Sequence, residues 1–138
     1  MACFKDSQEV YDTVGRLFAE LVSDEELGPR FRKADTIVQY AYTAPEATIT
    51  VCLREGEPGR VDFGETEMEP EVTMRMDADV AHRFWLGEVN VPMAIARGEI
   101  KTQGPVSKIL RLVPLAKPAF PRYREMLRTD GREDLIGA

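Results

Sequence analysis

Residues 89–116, VNVPMAIARGEIKTQGPVSKILRLVPLA, constrain this chain more than any other stretch. Pro92 suits the first turn of a helix, where its missing N–H has no partner to lose. Gly98 suits the position just past that helix, because glycine takes positive φ at little cost. Gly104 and Pro105 repeat the punctuation before a second, strongly apolar run. The spacing predicts a helix over Pro92–Arg97, a strand over Ile100–Gln103 and a helix over Pro105–Val113. Pro114, Pro118 and Pro121 then argue against one long C-terminal helix.

The rest of the chain falls into three parts. Val10, Val14, Leu17, Phe18 and Leu21 recur at helical spacing over residues 7–23, with Asp6 or Ser7 as the cap. A short helix near Asp24–Lys33 follows, interrupted by Gly28-Pro29. Alternation then takes over: strands near Ile37–Tyr42, Ala47–Leu53, Arg60–Gly64 and Val72–Met76 are separated by turn-rich segments. Ile49, Val51 and Leu53 share one face, and Thr48, Thr50 and Cys52 the other, so the strands read as an antiparallel meander with one wet face. From Asp77 the period becomes helical again. Asp77 or Asp79 caps a helix carrying Val80, Phe84 and Trp85, which Gly87 ends. A last helix around Ala119–Arg128 buries Phe120, Tyr123, Met126 and Leu127. Residues 129–138 read as a frayed tail. The fold class is α+β: one domain over residues 1–138, core about 7–128, with a mainly antiparallel five-stranded sheet and helices packed on one face.

The segment DADVAHRFWLGEV, followed by the proline-led helix and Arg97-Gly98-Glu99-Ile100-Lys101-Thr102-Gln103-Gly104, resembles the sterol carrier protein 2 (SCP2) family of lipid-binding domains. That pattern is an aspartate-led helix, a proline-led helix ending in G-x-[IL]-x-x-x-G, and an apolar helix. The order of elements matches from about Val10 to Leu127. Glu99 stands where the family usually has Lys, and Pro105 where it often has an acidic residue. The resemblance implies the same α+β fold, and a tunnel between the sheet and the late helices that takes fatty-acyl chains, acyl-CoA or sterols. It also places Phe84 and Trp85 near that interior.

Composition narrows the function classes. The 138 residues are 43% hydrophobic, enough for a substantial core. No apolar run approaches the length needed to span a bilayer, and MACFKDSQEV holds no apolar signal core, which is the pattern of a cytoplasmic chain. Cys3 and Cys52 make neither a disulfide scaffold nor a zinc site; they read as plain thiols, with a Cys3–Cys52 bridge as the minor case. The net charge of −6 argues against nucleic-acid binding. It hides an asymmetry: residues 97–132 carry nine Lys or Arg against Glu99, Glu125 and Asp130. That basic segment is a solvated helix face, or a transient contact with a membrane surface or an acidic protein.

Chemistry-bearing constellations are missing. His82 is the only histidine and has no ligand-spaced partner. No nucleophile elbow, Cys–His pair or Walker loop occurs, so neither an enzyme nor a cofactor is expected. What remains is apolar. Ile109, Leu110, Leu112, Val113 and Leu115 make the Pro105–Ala116 helix apolar on more than one face. Its second face meets a ligand, a partner or the Phe120–Leu127 helix. Met68, Met74, Met76 and Met93 add adaptable side chains that suit a core or a lipid site. The expected function is non-enzymatic binding and carriage of a hydrophobic small molecule, a lipid or acyl-CoA. The candidate lining is Met74, Met76, Phe84, Trp85, Met93, Ile109, Leu112, Val113 and Phe120, with Lys101, Lys108 and Arg111 at the mouth. The alternative is an accessory or dimerisation module whose cavity has collapsed around its aromatic side chains and which supports a partner enzyme or a second copy of itself.

Overall fold

The computed structural model describes residues 3–136. The first apolar stripe forms one bent helix: α1 (Ser7–Val10), a π-helical turn over Tyr11–Gly15, and α2 (Arg16–Ser23). Asp6 caps it, its carboxylate accepting from the Glu9 N–H at 2.9 Å. Gly15 stands in the π turn because the Phe63 ring lies against it; a Cβ there would come within 2.8 Å of that ring. Phe63 in turn stacks on Tyr11, with ring centres 5.0 Å apart.

α3 (Leu27–Phe31) contains Gly28-Pro29 instead of being broken by them. Pro29 falls in the first turn, where no N–H bond is lost. Asp24 accepts from the Glu26 and Leu27 N–H groups and fixes that start.

The strands are β1 (Thr36–Thr43), β2 (Ala47–Leu53), β3 (Arg60–Phe63), β4 (Val72–Asp77) and β5 (Lys101–Gln103). The order is β3-β2-β1-β4-β5, so the sheet is not the expected simple meander. β4 crosses to the free edge of β1 and pairs with it in parallel, Val38 opposite Val72 and Tyr42 opposite Met76. The remaining pairs are antiparallel. Alternation tells which residues share a face but not which strands are neighbours. The crossing leaves β1 in the middle of the sheet.

One face carries Val38, Tyr40, Tyr42, Ile49, Val51, Leu53, Met74 and Met76 towards the helices. The other is polar but not uniformly wet. Thr50 and Cys52 are buried on it, with Gln39 donating to the Thr50 hydroxyl at 3.1 Å. Both cysteines are free thiols.

β5 confirms the strand expected between Gly98 and Gly104. Gly104 has φ +99°, and a Cβ on it would meet the Glu71 carbonyl oxygen at 2.3 Å. That close approach lets β5 run against β4.

The helices after β4 are α4 (Ala78–Trp85), α5 (Val91–Ala96), α6 (Val106–Ala116) and α7 (Phe120–Thr129). Neither aspartate caps α4 with its side chain. Asp77 accepts from the Thr43 hydroxyl at 2.6 Å, and Asp79 accepts from the Cys3 N–H at 2.8 Å. α6 runs past Val113 and through Pro114. The carbonyl that this proline leaves without an N–H belongs to Leu110, a residue 47% exposed.

The segment from Thr129 is not frayed as far as it is described. Arg132 lies 3.5 Å from Glu9 and 3.2 Å from Asp134, and Leu135 is buried in a 3-10 turn over Glu133–Leu135. Residues 137–138 of that segment lie outside the described residues.

Candidate functional site

The sheet's apolar face and helices α2, α4 and α6 leave a cavity between them. Its volume is ≈ 50 Å³. Seven of the residues expected from sequence line it: Met74, Met76, Phe84, Trp85, Ile109, Leu112 and Val113. Each arrives there for a local reason. Met74 and Met76 alternate inward on β4 beside Tyr40 and Tyr42. Phe84 and Trp85 end α4, their rings 4.9 Å apart. Ile109, Leu112 and Val113 follow helical spacing on α6.

Two expected residues stand elsewhere. Met93 is 48% exposed on α5, and its neighbour Val91 turns to the cavity instead. On so short a helix the inward face falls on Val91 and Ala94, both buried. Phe120 sits behind the wall, its ring 6.3 Å from Trp85 and 5.5 Å from Phe84. It holds these two rings in place.

The wall also uses residues that the sequence reading did not choose, among them Phe18, Phe31, Tyr40, Tyr42 and Val51. The available signal was the inward register of Tyr40 and Tyr42 with Met74 and Met76. Phe18 bridges the wall's two sides, 4.9 Å from Tyr40 and 5.3 Å from Trp85 between ring centres.

The electrostatics are simple. Among the described residues, no acidic side chain, Lys, Arg or His lines the cavity. Lys101 opposes Arg75 on the polar face of the sheet, away from it. Lys108 reaches back to the Asp35 carbonyl at 2.7 Å and ties α6 to the chain before β1. Arg111 is exposed on α6. The basic residues expected at the mouth therefore do not enter the cavity. Tyr40 and Tyr42 are wall residues, and the Tyr42 hydroxyl is itself covered by the wall. Burial pushes both phenols well above their ordinary pKa, so they stay protonated at neutral pH.

Outside the cavity, His82 is buried with both ring nitrogens engaged: Nδ1 lies 2.7 Å from the Tyr123 hydroxyl and Nε2 lies 2.7 Å from the Leu135 carbonyl. Among the described residues no group of His, Cys, Asp and Glu is placed to hold a metal ion. No described helix is long and apolar enough to cross a membrane.

A small α+β domain with an uncharged apolar cavity between sheet and helices is the architecture of a hydrophobic-ligand binder. The profile of the SCP-2 sterol transfer family matches residues 15–117, and the chain belongs to that family. No curated protein sequence is a recognisable relative. Solved structures share the fold. Sterol carrier protein 2 from Yarrowia lipolytica, in its apo form, is 16% identical with a TM-score of 0.65, over 82% of this chain and 91% of that one. Sterol carrier protein domain 2 of Helicoverpa armigera is 21% identical with a TM-score of 0.65, over 88% and 95%. The UbiJ-SCP2 ubiquinone synthesis protein is 19% identical with a TM-score of 0.55, over 76% and 85%. At these identities the likeness shows a common fold.

Proposed function

We propose that this protein is a non-enzymatic carrier that takes a hydrophobic lipid into the cavity between its sheet and helices α2, α4 and α6. One observation supports this most: the late helices and the sheet leave an apolar space lined from both sides with no charged side chain. Each methylene buried there contributes about 0.8 kcal/mol, so a chain binds without catalytic groups. The present volume corresponds to a few waters, at about 10–15 Å³ for one by this measure. A long chain therefore needs the walls to part. Met74, Met76 and α6 are the adaptable parts.

Loading also calls for a place where lipid is met. α6 supports one. Its inner residues Ile109 and Leu112 face the cavity, while Val106 and Leu110 are 52% and 47% exposed beside Arg111 and Lys117. An apolar strip flanked by cations suits the surface of an anionic bilayer.

A second reading, an accessory module with a collapsed cavity, is favoured by the narrowness of the space. The UbiJ-SCP2 ubiquinone synthesis protein also shares the fold. Native mass spectrometry of freshly purified protein tests both. Co-purified lipid supports the carrier. A lipid-free protein that refuses every added chain and forms a defined dimer or heteromer supports the module.

A further inference from the structure

Among the described buried side chains, polar atoms are nearly all paired. His82 is held at both nitrogens, the Thr36 hydroxyl donates to Glu71 at 2.7 Å, and Thr50 accepts from Gln39. The Tyr42 hydroxyl is an exception. It is buried and has no hydrogen-bond partner, on a residue only 3% exposed. The other unpaired atom, Arg16 Nε, belongs to a half-exposed guanidinium that already meets Asp130 at 2.5 Å. A buried hydroxyl without a partner costs stability, and a phenylalanine would fill the same volume without that cost.

Tyr42 is a wall residue of the cavity, and Tyr40 lies next to it on the same face, ring centres 6.1 Å apart. The wall as it stands closes over the Tyr42 oxygen. The cavity must widen for any chain, and an occupant then lies against this residue. A carboxylate brought there would find no Lys, Arg or His on the wall to offset its desolvation. An uncharged oxygen needs only one donor, and the phenol supplies one.

We infer that Tyr42 is the polar anchor of the cavity, and that its preferred occupant is a neutral lipid with an uncharged hydroxyl or carbonyl oxygen, not one that places a carboxylate inside. This rests on the carrier reading and assigns the residue that sets its selectivity. The O–H donates to the ligand oxygen, and the rest of the wall packs the hydrocarbon.

The experiment uses the delipidated full chain and matched ligands: hexadecan-1-ol, 2-hexadecanone, hexadecane and hexadecanoate, the last above its own pKa. Each competes with a fluorescent apolar probe. The expected result is that the alcohol and ketone bind about tenfold more tightly than the alkane and the carboxylate. Tyr42→Phe removes that advantage, so that the alcohol and the ketone bind no more tightly than the alkane does to the same variant, and does not lower the melting temperature of the ligand-free protein. Equal affinities in the wild type, or an advantage that survives Tyr42→Phe, overturn the anchor while the carrier stands. A large fall in melting temperature also overturns it, because the hydroxyl then serves the fold. Binding by none of the four overturns the carrier reading and the anchor with it. Alcohol binding with no ketone binding narrows the ligand to hydroxyl lipids and supports the anchor.

Discussion

The Tyr123 hydroxyl donates to Nδ1 of His82 across 2.7 Å, and this pair locks α4 against α7. The tautomer follows from the other nitrogen. The Leu135 carbonyl can only accept, so Nε2 carries the proton and Nδ1 is the acceptor. Burial is the main influence on this ring and lowers its pKa from 6.5, opposed by the Leu135 bond, Asp79 and Glu88 and assisted by Arg83. The sign follows. Above pH 6.5 the ring is neutral in both states, and its contribution is complete. Below that, the unfolded chain takes up a proton before the folded one does, so stability falls with pH. Thermal unfolding from neutral to mildly acidic pH should show this loss, and His82→Leu should flatten that part of the curve. A wild-type curve with no slope there would contradict the buried neutral ring.

Removing only the donor tests the same pair. Tyr123→Phe leaves Nδ1 buried and unpaired, which costs about 1–3 kcal/mol. Chemical denaturation at neutral pH measures it. A neutral substitution would mean that water reaches the ring.

Gly104→Ala should be among the most damaging single-methyl changes. Its φ of +99° is strained for alanine, and the new Cβ would sit 2.3 Å from the Glu71 oxygen. The strain alone costs about 1–3 kcal/mol, and relieving the clash must push β5 off β4. A melting temperature within a degree or so of wild type would show that β5 is not held there.

Val113→Trp probes the cavity through its α6 wall. Val113 is half-buried and lines the space, so a tryptophan can occupy it. The expected outcome is lost lipid binding with the fold retained. In a dense core the same change would cost about 1–3 kcal/mol, visible in the ligand-free melting curve.

The outer face of α6 is tested by Leu110→Glu. Leu110 is 47% exposed, so the change should leave stability within about 0.5 kcal/mol. Flotation with vesicles containing anionic phospholipid should show binding by the wild type and little by the variant. Equal flotation would place the membrane contact elsewhere or nowhere.

Much of this architecture is legible in the sequence. Alternation marks the strands, and glycine and proline mark the limits of α5, β5 and α6, because those signals are local. Non-local features are not legible. Parallel pairing of β4 with β1 depends on where a loop crosses. Burial of Leu135 depends on a histidine far away in the chain that needs an acceptor. The cavity lining is partly legible. Residues chosen by helical spacing on α6 line the space, but Met93 does not, since α5 is too short for periodicity to choose its inward face. Tyr40 and Tyr42 were within reach only once their strand's register was known. Lys101 and Lys108 show that a basic run says little about direction: one lies on the far face of the sheet, the other spans to a backbone carbonyl.

The parallel β1–β4 pairing gives the sheet a seam. On one side lie β3, β2 and β1, built from hairpins of neighbouring sequence; on the other lie β4 and β5. The cavity straddles that join: Phe18, Tyr40 and Val51 come from the first half of the chain, Met74, Trp85 and Leu112 from the second. Neither half alone encloses the space. A molecule held there acts as a clasp, touching both halves and belonging to neither. Loading then stabilises the joined state by mass action, so filled protein should resist proteolysis in the acidic crossing segment around Glu65–Glu71 better than empty protein.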